Sequence, residues 1–280
     1  FKTPPNANNM RMDNQTETKN STVVETDETA VLAKSVAEKE ISETATVFGQ
    51  SEEELGREFK KFKALKLFAK IFCDLTAVTD DDEFEEKLGQ AVEYGFGGAF
   101  VLPSDIIKTR QKVDKNNFSI FAAVCYPFGE EGSGVKKLAV KRAATQGANR
   151  ILVPVGVKAV KAGNFDFIRR EFKKCVKVNK TVKITALVEC GSLSAEEVER
   201  AVKVLSSAGV TSFCGNSGFR ARNDGGEYKL LRSNVKSGGD LMAVATDSGG
   251  DVISLFHVAD AVIAKNCDGV AERINKKLGI

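Results

Sequence analysis

The sequence predicts an α/β protein: a closed (β/α)8 barrel with an extended N-terminal arm and an extra helix ahead of the first strand. Three observations lead there. Eight short runs of β-type residues recur between residues 67 and 264, a stretch of helical period follows each, and 280 residues that are 42% apolar can bury one large core. Eight strand–helix repeats over about 210 residues is the count of a TIM barrel, with a doubly wound open sheet as the fallback.

Residues 1–50 are rich in Asn, Thr, Ser and Glu, carry prolines at 4 and 5, and hold five basic against eight acidic side chains. Such a segment buries too little apolar surface to offset its ordering entropy, so it reads as an extended or disordered arm that gains order against a partner. Its one weakly amphipathic stretch is Ala30–Ile41, with Val31, Leu32, Val36 and Ile41 on one side. Ser51-Glu-Glu-Glu54 has the form of a capping box, in which each side chain satisfies the other's free backbone amide. It opens a leading helix over 51–66 with Leu55, Phe59, Phe62 and Lys66 at three-to-four spacing, and Arg57, Lys60, Lys61, Lys63 and Lys70 make the stretch basic. The barrel domain, with that helix, is 51–280.

The strands are expected at Leu67–Leu75, Gly97–Leu102, Phe118–Cys125, Arg150–Val155, Val182–Glu189, Val210–Cys214, Leu241–Thr246 and Ala261–Ala264. The helices are expected at Asp81–Tyr94, Ser104–Val113, Gly134–Gln146, Asn164–Val178, Ala195–Ala208, Gly226–Val235, Asp251–Val258 and Asp268–Leu278. The fourth of these shows the logic. Phe165, Ile168, Phe172 and Cys175 fall on one face, while Arg169, Arg170, Lys173, Lys174 and Lys177 fill the other.

Forty-one basic against 38 acidic residues is too small an excess to imply nucleic acid. Six cysteines, at 73, 125, 175, 190, 214 and 267, never fall as Cys-x-x-Cys. They read as free thiols in a reducing compartment, with neither a zinc site nor a disulfide framework. With His257 the single histidine, the common metal and triad chemistries lose most of their candidates, and no metal or cofactor is expected. No run of 18 apolar residues exists, so no membrane span is expected. The chain opens on Phe1 without an initiator methionine; a trimmed chain or a removed targeting peptide accounts for that. With the thiol usage it points to a mitochondrial protein, a cytoplasmic one being the alternative.

Several segments, in order and at matching spacing over residues 71–265, carry a resemblance. Cys73-Asp-Leu-Thr76, Tyr94-Gly-Phe-Gly-Gly-Ala-Phe-Val-Leu-Pro103, Val124-Cys-Tyr-Pro-Phe-Gly129, Lys161-Ala-Gly-Asn-Phe165, Val188-Glu-Cys-Gly-Ser-Leu-Ser-Ala-Glu-Glu197 and Val210-Thr-Ser-Phe-Cys-Gly-Asn-Ser-Gly-Phe219 are the segments concerned. They resemble the corresponding stretches of the deoxyribose-phosphate aldolases, whose lysine forms a Schiff base with the substrate aldehyde. On that alignment the lysine falls on Cys214, the proton-relaying aspartate on Leu152, and a second lysine, which lowers the first one's pKa, on Thr246. The resemblance therefore implies an aldolase body without catalytic residues.

The glycines of the family's phosphate site are matched by Gly218 and by Ser248, Gly249 and Gly250, with Lys265 at the rim as an anion-binding candidate. Asp251, directly after Gly250, would repel a phosphate there. The expectation is a catalytically inactive, aldolase-like structural or accessory subunit of a larger assembly, contacting other protein subunits through its arm and basic helix faces. The alternatives are an aldolase or lyase with a relocated nucleophile, Cys214 or Lys265, or a phosphometabolite-binding sensor.

Overall fold

Eight short strands, buried because helices cover one face and the barrel interior the other, run parallel and close on themselves in chain order in a computed structural model that describes residues 52–219, 226–245 and 252–280. They are β1 (Ile71–Asp74), β2 (Gly98–Val101), β3 (Ser119–Ala123), β4 (Arg150–Pro154), β5 (Lys183–Leu187), β6 (Ser212–Cys214), β7 (Asp240–Val244) and β8 (Ala261–Ala264). Closure is made where Ile71, Phe72 and Cys73 of β1 pair with Val262, Ile263 and Ala264 of β8. The closed (β/α)8 barrel expected from the sequence is therefore the fold. The arm over 1–50, Ser51 of the capping box, and Thr246, Ser248, Gly249 and Gly250 lie outside the described residues.

The chain divides into two units, Phe1–Glu58 and Phe59–Ile280, and the barrel lies wholly in the second. Helix α1 (Glu52–Phe68) is longer than the leading helix expected, and the strand run expected from Leu67 begins instead at Ile71. Ala64 and Phe68, one helical turn apart, are buried, and the Phe68 ring packs 5.7 Å from that of Phe96. Continuing the helix through Phe68 buries more apolar surface than an early strand would. Phe62 is not on the packed face; it is exposed, with the Lys66 ammonium 4.4 Å over its ring.

The remaining helices are α2 (Asp81–Glu93), α3 (Ile106–Lys112), α4 (Ser133–Gln146), α5 (Val157–Lys161), α6 (Phe165–Val176), α7 (Ala195–Ser207), α8 (Gly226–Asn234), α9 (Val252–Leu255) and α10 (Cys267–Leu278). The Asp80 carboxylate caps α2, accepting from the Glu83 amide, and Ser194 with Glu197 forms a complete capping box on α7. The sequence reading passed over α5, which is a single turn bracketed by Gly156 and Gly163 and too short to show a period. The α9 helix ends at Leu255, so exposed His257 lies past it on a turn rather than on the helix expected there.

The apolar interior separates into two clusters. One lies between strands and helices and includes Ile71, Ile120, Ile151, Phe172 and Leu241; the other fills the barrel itself with Phe72, Phe100, Phe121, Leu152, Leu187, Cys214, Met242 and Ile263. At the N-terminal end the interior is closed by charge. The Arg150 guanidinium donates to Asp240 at 2.9 Å and to Ser212 Oγ at 3.2 Å, lies over the rings of Phe72 and Phe121, and shares Asp240 with Lys183. Burial raises the Asp240 pKa, but Lys183 and Arg150 outweigh it and hold the carboxyl below its ordinary value. Lys183 thus serves the stability face of the barrel, as its place at the entry of β5 implies.

One sequence expectation is overturned in the outer shell. Cys73 and Cys267, 194 residues apart, are joined in a disulfide with Cα atoms 6.0 Å apart; only Cys125, Cys175, Cys190 and Cys214 are free. The spacing argument missed it because the pairing joins β1 to the start of α10 and is visible only once the barrel has closed. In the chain-entropy picture such a cross-link contributes about 2–5 kcal/mol. The reading of all six cysteines as reduced thiols fails with it.

A buried ion pair joins α4 to α6: Lys136 and Glu171, each 1% exposed, meet at 2.8 Å, and the same ammonium donates to the Pro154 carbonyl at 3.0 Å. Burial pushes the Glu171 carboxyl above its ordinary value, and Lys136 opposes the shift. Removing one partner leaves the other charge buried alone, at a cost of about 3–5 kcal/mol, whereas apolar residues in both places cost little. Urea unfolding should therefore find Lys136→Ala destabilised by about that amount and the double variant Lys136→Met/Glu171→Leu within about 1 kcal/mol of the parent. Equal losses in both would mean that packing volume, not charge, holds the site.

Candidate functional site

In a (β/α)8 barrel the reactive face is at the C-terminal ends of the strands, and both described positions singled out there as degenerate meet. Cys214 ends β6 and Leu152 lies within β4; both are buried in the same apolar cluster, with Leu187 of β5 and Met242 of β7. Thr246 lies beyond the described residues, so its relation to them is not assigned. The Cys214 thiol is fully buried and donates to the Asn216 carbonyl at 3.4 Å. Its pKa is pushed up to about 12, mainly by burial, with the Glu189 carboxylate adding to the rise. At neutral pH the group is therefore a neutral thiol. As a relocated nucleophile, Cys214 is poorly placed.

Above this cluster the loop after β3 reaches the loop after β6. The Tyr126 ring meets Phe100 edge-on at 5.7 Å, and its hydroxyl donates to the Ser217 carbonyl. Phe219 stands edge-on to Tyr126 at 5.8 Å and to Phe128 at 6.4 Å. Burial pushes the Tyr126 phenol far above its ordinary pKa, with Asp74, Cys214 and Glu189 adding to the shift, so it stays a neutral donor. Two backbone features bend the chain over the barrel. Cys125 takes a left-handed φ of 53°, and Gly129 a φ of 62°. A Cβ on Gly129 would lie 2.4 Å from the Pro154 carbonyl oxygen, so only glycine lets this loop approach β4 so closely. The Cys125 conformation costs about 1–3 kcal/mol and is held by the Gly129 amide donating to the Cys125 carbonyl at 3.0 Å.

The wall of the mouth beside β6 is polar and internally bonded. Asn216 donates its amide to Glu227 and to the Tyr228 hydroxyl, which accepts from the Val244 amide at 2.8 Å and donates to the Val244 carbonyl at 3.2 Å. Glu189 accepts from the Ser217 amide at 3.3 Å. The amide of Gly218, matched by sequence to a phosphate contact, donates instead to the Asn216 side-chain oxygen at 3.0 Å, and the next amide, Phe219, donates to Ser217 Oγ at 3.2 Å. Both donors are occupied within the chain. Asp74, Glu189 and Glu227 put three buried carboxyl groups at this end of the barrel. Lys265 stands exposed one residue past β8.

Asp74, Tyr126, Glu189, Asn216, Glu227 and Tyr228 were not singled out from the sequence. Their chemistry is ordinary until the barrel brings residues 11 to 91 positions apart into contact, as Asn216 with Glu227 and Tyr126 with Ser217. A usable signal existed for Asp74, Tyr126, Glu189 and Asn216, which lie inside the segments that carry the resemblance. Among the described residues no group of three His, Cys, Asp or Glu side chains could hold a metal ion, and no helix is long and apolar enough to cross a membrane.

Strand order, closure and the position of the mouth define a single-barrel (β/α)8 protein. No family model matches the chain. Among curated proteins it is 24% identical over 141 residues to the deoxyribose-phosphate aldolase of Streptococcus suis, covering 50% of this chain and 64% of that enzyme. It is 26% identical over 211 residues to that of Exiguobacterium sp., covering 74% and 90%. Among solved structures, an aldolase called QR15 superposes with a TM-score of 0.69 at 21% identity over 75% of this chain and 96% of its own. The tetrameric deoxyribose phosphate aldolase of Aeropyrum pernix does so at 0.66 and 18% over 79% and 97%. These superpositions bear out the fold, and in sequence the chain is similar, at 24% and 26% identity, to these deoxyribose-phosphate aldolases.

The burial of the thiols has a direct test. Iodoacetamide at pH 8, read by mass spectrometry, should leave Cys214, Cys175 and Cys190 unlabelled in the folded chain and label all four free thiols in guanidinium. Cys73 and Cys267 should label only after reduction as well. Rapid labelling of Cys214 in the folded protein would contradict the sealed interior described above.

Proposed function

We propose that this chain is a non-catalytic, aldolase-like barrel that serves as a structural or accessory subunit of a larger assembly. The observation that carries the reading is Cys214, which stands where a Schiff-base amine would be needed and is buried among apolar side chains beneath Tyr126. Retro-aldol cleavage through a Schiff base needs an iminium nitrogen to accept the electrons of the breaking C–C bond. A thiol adds to an aldehyde to give a hemithioacetal, which has no such sink. Leu152 has no proton to relay and no lone pair to accept one.

At Cys214 the relocated-nucleophile alternative draws little support from a thiol that burial pushes up to about 12, and the sensor alternative draws little from a Gly218 amide already engaged by Asn216. What favours an assembly role is the number of basic side chains left on helix faces. Arg170 and Lys173 on α6 and Lys177 just after it take part in no ion pair among the described residues, and a partner with acidic groups would complement them.

Incubation with deoxyribose 5-phosphate and borohydride, followed by peptide mapping, should leave every lysine unmodified and release no acetaldehyde. A stoichiometric reduced adduct on any barrel lysine would sink the reading. Cys214→Lys alone is expected to remain inactive, because the new amine would share its surroundings with Leu152 and lie under the same aromatic cap. Turnover by that single variant would show that the supporting residues have been misplaced.

A further inference from the structure

The outer surface between α3 and α4 is unusual for a helix face that no other part of the barrel covers. Val135 and Leu138 of α4 are 55% and 66% exposed, and Ile107 on the neighbouring α3 is 49% exposed. A groove of about 460 Å³ lies here, its lining including Pro103, Ser104, Val135, Leu138, Arg142 and Gln146. Val135, Leu138 and Arg142 recur at the three- and four-residue spacing of one helical face, where a solvent-facing surface ordinarily carries polar residues. The Gln146 side-chain oxygen is buried with no hydrogen-bond partner, a cost that an incoming donor would relieve.

The charge around the groove has one sign along α4. This helix contains Lys136, Lys137, Lys141 and Arg142 and no acidic residue. Lys136 is committed to Glu171, but Lys137, Lys141 and Arg142 make no ion pair among the described residues. On α3 the lysines are neutralised, Lys108 by Asp81 and Lys112 by Glu85. Among the cations that make no ion pair, Arg142 lines the groove and Lys141 lies next to it on α4.

We propose that this groove docks an acidic amphipathic helix of a partner protein, its apolar stripe on Val135 and Leu138 and its carboxylates against Arg142 and the adjacent Lys141. A helix laid in a groove presents anchors at this spacing. A second copy of this chain fits worse, because a two-fold contact would bring each of these cations against the same face of its mate. The idea rests on the accessory-subunit reading for its purpose; its geometry stands apart from that reading.

The probe is a fluorescein-labelled helical peptide of about 18 residues, five turns, with leucines along one face and glutamates flanking them. It is titrated with the full chain and read by anisotropy. Saturable binding is expected, weakened at least about tenfold by Leu138→Glu, by Arg142→Glu, or by lysines in place of the peptide's glutamates. No saturable binding, equal binding of the two peptides, or no loss in both chain variants would overturn the proposal. Self-association by sedimentation velocity that Leu138→Glu abolishes would assign the groove to a second copy and overturn it as well. Leu138→Asn replaces Leu138→Glu if circular dichroism shows that the latter has unfolded. A borohydride adduct would remove the accessory reading and leave the groove, whereas failure of the peptide removes the groove alone.

Discussion

A closed parallel barrel has an interior that side chains from alternate strand positions must fill, and how this one is filled governs what the protein can do. At the N-terminal end the filling is ionic, with Arg150 and Lys183 sharing Asp240. Beyond that layer it is apolar, with Phe72, Phe100, Phe121, Leu152, Leu187, Met242 and the Cys214 thiol in one buried cluster. In an aldolase of the Schiff-base kind the mouth end must hold charged groups and admit an aldehyde. Here aromatic rings and a buried thiol occupy the interior.

The mouth follows from that interior. The Phe100 ring supports Tyr126, and the Tyr126 hydroxyl ties the loop after β3 to the loop after β6. Gly129 and the left-handed Cys125 let the first loop bend far enough to make this contact. Asn216 organises the neighbouring wall, holding Glu227 and Tyr228 and engaging the Gly218 amide. Each hydrogen bond made inside the wall is one fewer available to a ligand.

Much of the fold was legible because each barrel repeat writes its own local signal. A strand such as Arg150–Pro154 reads as a short apolar run, and a helix such as Phe165–Val176 as a clean amphipathic period. Errors came where local and tertiary preferences compete. Leu67 and Phe68 look like strand residues, yet Phe68 is better buried as the last turn of α1 against Phe96. The Cys73–Cys267 disulfide left no mark in the spacing, since it depends on β1 pairing with β8. At the mouth, Leu152 and Cys214 could be singled out from the resemblance, while the Tyr126 bridge and the Asn216 network could not. Those arise only from loops meeting across the barrel.

The central claim is that the interior beneath Tyr126 admits no aldehyde substrate. Carbon-13 methyl spectra report on it directly, because Leu152, Leu187 and Met242 line that interior. Titration with deoxyribose 5-phosphate should leave the methyl resonances of all three unchanged up to the highest concentration tested. A saturable shift of the Leu152 and Met242 methyl signals would show that the barrel opens to the sugar phosphate, and would contradict the account.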